Sequence, residues 1–284
     1  MKYIPSIGFN KQKAFLFSLL VVVVTQFISC KKEPIPAYIY LDSVNVLQGN
    51  LGSSSSNIVD IWVFQNDNPQ GVYEMPVTFP IIAEGNTTLT FQGGIKVNGV
   101  TTTRVSYPFY TNYTTTLNLV PGKIDTVKPQ VTYLPATKVA LIEDFEGGNA
   151  FAGIDRVFDP EKVFEGNVSG RMKIEIGDSS VVAFNTTRFA IPKNVASAFV
   201  ELDYKNNRVF NVSLRGFFTN SGESIRAIKL NVTNKDDWNK IYINFTPEIY
   251  NLQADTYELI FQYVEDDNFE PVDILFDNIK VIYL

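Results

Sequence analysis

Trp238-Asn239-Lys240-Ile241-Tyr242-Ile243-Asn244-Phe245 is the stretch on which the fold turns. Its alternation puts Ile241, Ile243 and Phe245 on one side of an extended chain, and Lys240, Tyr242 and Asn244 on the other. β-Branched and aromatic residues at this spacing specify a strand with one face in a core. The pattern recurs in 209–218, where Val212 and Leu214 point inward and Asn211, Ser213, Arg215 and Phe217 outward. It recurs again in 257–264, where Leu259, Phe261 and Tyr263 pack while Glu258 and Gln262 face solvent. Further strands are predicted at 171–176, 180–190, 198–204, 225–232 and 273–283, behind an opening strand that starts at Val139. Together they make an antiparallel sandwich of jelly-roll type over residues 136–284.

Working upstream, residues 37–134 show no helical periodicity. Short β-branched or aromatic runs at 38–46, 58–65, 71–82, 87–97, 101–109, 113–120 and 128–133 are punctuated by Asn66-Asp67-Asn68-Pro69, Glu84-Gly85-Asn86, Asn98-Gly99 and Pro121-Gly122. Asn98-Gly99 predicts a two-residue hairpin turn. The chain is therefore expected to be all-β. An N-terminal immunoglobulin/transthyretin-like β-sandwich over 37–135 is followed by the C-terminal jelly-roll β-sandwich, with Pro135-Ala136-Thr137 as the link.

The first residues read as an address. Lys2, Lys11 and Lys13 precede an uncharged apolar run at 14–28, shorter than the ~20 residues a spanning helix needs and suited to a signal-peptide core. It runs into Phe27-Ile28-Ser29-Cys30. This resembles a bacterial lipobox in the relaxed form of Bacteroidetes-type lipoproteins, with Phe27 and Ile28 departing from the usual residues. The resemblance implies a signal peptide at 1–29, acylation of Cys30, a lipidated tether at 30–36 stiffened by Pro34 and Pro36, and a stable lipid anchor. Lys31 beside that cysteine favours the outer membrane; its surface and its periplasmic face both stay open.

Composition excludes much else. The 284 residues contain no histidine and one cysteine. No Ser-His-Asp or Cys-His nucleophile pair, HExxH zinc site, CxxC redox pair or internal disulfide can form. With 24 basic against 30 acidic side chains, the net charge of −6 argues against nucleic acid. Cleavage before Cys30 would remove three lysines and leave 21 basic against 30 acidic groups, a net of −9.

The strand ends carry a second resemblance. Glu143-Asp144-Phe145-Glu146-Gly147, the strand 238–245 and Leu275-Phe276-Asp277-Asn278-Ile279-Lys280-Val281 look like jelly-roll, galactose-binding-like carbohydrate-binding modules. Leu117-Asn118-Leu119-Val120-Pro121-Gly122-Lys123 resembles the end of PEGA and carboxypeptidase-regulatory-like modules, which act as spacers. The first resemblance implies a structural Ca²⁺ held by Glu143, Asp144, Glu146 and Asp277, where the first and last strands meet. The outward residues Arg215, Phe217, Tyr242, Asn244 and Gln262 have the inventory for sugars, rings for C–H faces and planar polar groups for hydroxyls. Trp238 is expected to plug the core. A glycosidase would have to use carboxylates such as Glu201, Asp203 and Glu258, and no motif supports them. The expected function is a non-catalytic, outer-membrane-anchored lipoprotein binding a polysaccharide. The alternative is a structural part that docks another envelope protein, with a glycan-cleaving enzyme third.

Overall fold

The computed structural model describes residues 12, 15, 33–49, 51–175, 178–264 and 272–284. Cys30, its apolar leader and Lys31 lie outside the described residues, Gln12 and Phe15 of the leader excepted. Among the described residues, no helix is long and apolar enough to cross a membrane.

Strands dominate, as the alternation predicts. In the N-terminal half, β1 (Ala37–Leu41) sends Ala37, Ile39 and Leu41 inward. It pairs antiparallel with β5 (Val77–Ile81) and parallel with β9 (Ile124–Val127), and the short β2 (Asn45–Val46) and β10 (Gln130–Val131) pair alongside. The other sheet runs β4 (Asn68–Glu74), β3 (Asp60–Gln65), β6 (Gly85–Lys96), β7 (Arg104–Ser106), and β8 (Tyr113–Leu119) also pairs with β6. Ile39, Ile61, Val63, Phe79, Leu89 and Phe91 are among the residues that fill the core.

Three predicted details change. The run 71–82 is two strands, divided at Met75-Pro76, because proline has no N–H to donate to a ladder. Residues 124–127, left outside the predicted strands, form β9. Asn98 and Gly99 do turn, both with positive φ, and Val100 N–H donates to Val97 O at 3.0 Å. The strands, however, re-pair only at Lys96 and Arg104, so the connection is longer than two residues.

The C-terminal half is a two-layer antiparallel sandwich. One sheet is ordered β13 (Ile154–Val157), β14 (Ser169–Met172), β21 (Ile274–Tyr283), β16 (Ala198–Asn206), β19 (Lys235–Asn244), with β11 (Lys138–Glu143) also on β21. The other is ordered β12 (Phe151–Ala152), β15 (Ser180–Asn185), β20 (Thr256–Val264), β17 (Phe210–Phe217), β18 (Ser224–Val232). First and last strands are direct neighbours, Glu143 opposite Ile279. Between the layers pack Val200, Leu202, Phe210, Val212, Leu214, Ile241, Ile243, Phe261 and Phe276 with their neighbours. β12 and β13, too short for any periodicity, escape the sequence pattern. Gly153 between them has φ +77° and would put a Cβ 2.6 Å from Val182 O, so only glycine fits.

Candidate functional site

The two faces of the jelly roll have different fates. The outer face of the β16–β19–β21 layer carries Phe199, Glu201, Asp203, Lys240, Tyr242, Lys280 and Ile282, and the N-terminal sandwich lies on it. Phe199, Tyr242 and Ile282 join the N-terminal core beside Tyr107, Phe109 and Tyr110. The Tyr107 ring stands 4.7 Å from Tyr242 and 5.5 Å from Phe199. The Asn98-Gly99 turn hooks the two halves together. Asn98 N–H donates to Tyr242 O at 2.8 Å, and Asn98 Oδ1 accepts Asn244 N–H at 3.0 Å.

A buried ionic cluster sits inside this junction. Glu201, wholly buried, accepts hydrogen bonds from Tyr107 and Tyr133 hydroxyls, each at 2.6 Å. Lys240 Nζ lies 3.4 Å from Glu201 and 3.7 Å from Asp203. Asp203 accepts from Ser55 Oγ at 2.6 Å and from Asn278 Nδ2 at 3.2 Å. Lys280 Nζ donates to Ser53 O at 3.3 Å. Burial works against the Glu201 carboxylate, but Lys240 and Lys280 outweigh it and hold Glu201 below its ordinary value. Burial likewise opposes the Lys240 charge, and the attraction of Glu201 and Asp203 overcomes it. Lys280 is less well paired, and burial pushes it down to about 8. Desolvation raises Tyr107, Tyr110 and Tyr133, each reinforced by the Glu201 charge, so all three stay neutral.

Two sequence expectations are corrected here. Tyr242 does face away from the jelly-roll core, as alternation says, but the N-terminal sandwich covers it and it reaches no solvent. Asn244 is half-buried beside the same turn, and its Oδ1 accepts Thr246 N–H at 2.9 Å, at the start of the helix Thr246–Leu252. Glu201 and Asp203 sit under the same cover, while Glu258 belongs to the opposite sheet; these carboxylates share no open surface.

The β15–β20–β17–β18 face is open, with Val182, Ile228 and Val264 exposed on it. Here stand the other three predicted residues. Arg215 lies opposite Glu258 on one side and Arg226 on the other, and Gln262 lies opposite Asn211. Arg215 Nη1 donates to Glu258 Oε2 at 3.3 Å, and Arg188 Nε is 3.8 Å from Glu258 Oε1. The Arg188 guanidinium covers the Phe217 ring at 3.4 Å, a cation–π stack. Gln262 Nε2 donates to Ser180 Oγ at 2.9 Å. Sequence reasoning missed Arg188 and Arg226. Arg188 follows β15 in a loop, and Arg226 lies on an edge strand whose bulge at Lys229 breaks the alternation.

The four acidic residues expected around Ca²⁺ are not gathered. Glu143 accepts N–H groups from Phe145 and Ala150, Asp144 from Glu146, and Glu146 from Asn167 and Val168. Asp277 accepts from Ser169 Oγ at 2.6 Å and from Asn278 N–H at 2.8 Å. Burial pushes Asp277 up to about 7. These oxygens are taken up by backbone N–H groups and the Ser169 hydroxyl, so the residues present do not fit a calcium cage. Among the described residues no group of three or more Asp, Glu, His or Cys could hold a metal ion. Trp238, expected as a core plug, is half-buried and packs on Phe164, ring centroids 5.2 Å apart.

A cleft of about 340 Å³ opens at the edge of the junction, lined by Asn57, Lys96, Asn98, Asn231, Lys235 and Asn239 among others. Several of these amides are already bonded within the protein, Asn57 Nδ2 to Lys240 O at 3.0 Å and Asn239 Nδ2 to Tyr204 OH at 3.2 Å.

No family model matches this chain. None of the curated proteins matches it. Solved structures similar to about half of it are carbohydrate-binding modules. The family 30 module of a Clostridium thermocellum cellulosomal cellulase is 16% identical, with TM-score 0.37, over 51% of this chain and 92% of that one. The C-terminal family 22 module of Clostridium thermocellum Xyn10B is 12% identical, with TM-score 0.38, over 53% and 97%. The family 11 module of the same organism, in complex with a mixed-linked tetrasaccharide, is 13% identical, with TM-score 0.36, over 51% and 94%. At such scores the likeness carries no weight of its own, and the all-β architecture rests on the strand order above.

Proposed function

We propose that this protein is a non-catalytic, lipid-anchored protein of the outer membrane that binds a polysaccharide on the open β15–β20–β17–β18 face. One observation carries the reading. Of the two jelly-roll faces, one is sealed by the N-terminal sandwich, and the other presents the Arg188 guanidinium stacked on the Phe217 ring, with further guanidinium and amide groups around them. Rings and planar polar groups at half exposure are what pyranose faces and hydroxyls pair with. Burial of Glu201 and Asp203 under the N-terminal sandwich, with Glu258 on the opposite sheet, supports a binding rather than a cleaving role, since hydrolysis needs two acids flanking one accessible bond. Under this reading the N-terminal sandwich is a spacer welded to its cargo domain, and Cys30 holds both to the membrane.

The test is titration of the full chain with a panel of soluble plant and bacterial polysaccharides, repeated with Phe217→Ala. Binding that weakens at least tenfold in the variant supports the proposal. Silence across the panel, with capture of one defined envelope protein on the same face, would put the docking alternative in its place.

A further inference from the structure

We propose that the glycan taken by this face is anionic, a polysaccharide bearing carboxylate or sulfate groups. This rests on the binding role proposed above and adds the charge of the ligand. Among the described residues, the face gathers three guanidiniums, Arg188, Arg215 and Arg226, around one carboxylate, Glu258. Glu258 is shared between Arg188 and Arg215. Among the described residues, Arg226 has no carboxylate within ion-pairing distance. Its Nη2 donates to neutral acceptors, Asn211 Oδ1 at 3.1 Å and Ser213 Oγ at 3.0 Å, and its buried Nε has no partner among the described residues.

Arg215 and Arg226 are also direct cross-strand partners. Like charges in that register oppose each other. Burial, and then the Arg215 charge, draw the Arg226 guanidinium below its ordinary value, the same conflict seen from the proton side. A carboxylate or sulfate between the two would remove the repulsion, satisfy Nε, and use the planar fork that suits these anions. The rest of the chain offers no general attraction for a polyanion, with a net charge of −6. Such a ligand would be recruited by this patch and not by overall charge.

Matched pairs isolate the charge: polygalacturonate against its methyl ester, and dextran sulfate against dextran. The full chain is expected to bind one acidic member at least tenfold more tightly than its neutral twin in low salt, with the margin shrinking as salt rises. The first pair reads a carboxylate ligand, the second a sulfate. Arg226→Gln should erase the margin while leaving the melting temperature equal or higher, because a repulsion is removed. Lys235→Gln, at the junction cleft, should leave the margin intact. Equal binding of charged and neutral twins would overturn this inference and leave the glycan reading standing. Absence of binding to all four polymers and to the wider panel would overturn both. A margin that survives Arg226→Gln, or disappears with Lys235→Gln, would place the anion elsewhere and refute the assignment.

Discussion

Replacing Glu201 with glutamine tests whether the two sandwiches are one cooperative unit. The side chain keeps its shape and loses its charge inside a wholly buried cluster. Two hydroxyls from the N-terminal half, Tyr107 and Tyr133, lose an anionic acceptor, and one of them must turn to face an amide N–H. Lys240 keeps only Asp203, at 3.7 Å. Breaking a buried pair by removing one partner costs about 3–5 kcal/mol. Lys280, at about 8, can shed its proton in response and so holds the loss near the lower end, about 3 kcal/mol. At about 2–4 °C per kcal/mol for a chain of this size, the melting temperature should drop by roughly 6–12 °C.

The two tryptophans make the assay specific. Trp62 lies on β3 of the N-terminal sandwich and Trp238 on β19 of the jelly roll. Urea unfolding of Trp62→Phe and Trp238→Phe proteins then reports each half separately. In the parent both halves should unfold together, and Glu201→Gln should move both midpoints by the same amount. A loss below ~1 kcal/mol, or a shift seen by one tryptophan alone, would refute the coupling. Glu201→Met with Lys240→Met should lose less than either single change, since one anion and one cation leave the cluster together.

Three further outcomes follow from the structure. Asp277, raised to about 7 by burial, keeps its proton in the folded state after the unfolded chain has lost it. Its contribution is therefore full below pH ~4 and lost as pH climbs through 7, with a slope approaching about 1.4 kcal/mol per pH unit; Asp277→Asn should flatten unfolding curves over that window. Gly153→Ala should destabilise the jelly roll by about 3 kcal/mol in chemical denaturation, combining a left-handed φ with a clash on Val182 O. Asn98→Ala gives up a left-handed turn residue and the acceptor for Asn244 N–H, and should cost about 1–2 kcal/mol by the same method without altering binding on the open face.

Alternation carried most of the fold, because a half-buried strand writes its geometry at period two. Residues 238–245, 209–218 and 257–264 turn the sides their patterns say, including Tyr242 and Glu201, which do point away from the jelly-roll core; but Glu258, expected to face solvent, is buried beside Arg188 and Arg215, and Ser213 is buried as well. What alternation cannot say is what lies on the far side. Lys240, Tyr242 and Glu201 look like solvent-facing residues until a second domain is laid over them. The charged and hydroxyl groups that signal solvent in one strand are here satisfied across 94 residues of sequence, Tyr107 to Glu201. The same blindness split the expected sugar set. Arg215, Phe217 and Gln262 share the open sheet, whereas Tyr242 and Asn244 belong to the closed one. The acidic ends failed for a different reason. Glu143 and Asp144 bond the backbone of their own turn and Glu146 reaches the Asn167 and Val168 N–H groups, so backbone donors take the oxygens first.

The most direct test of the central claim is hydrogen exchange of the full chain with and without a polysaccharide that it binds. The account predicts that protection grows along β17 and β20, around Asn211–Phe217 and Glu258–Gln262, and stays constant over 96–101 and 238–242. Protection that grows at the junction instead, with β17 and β20 unchanged, would contradict it.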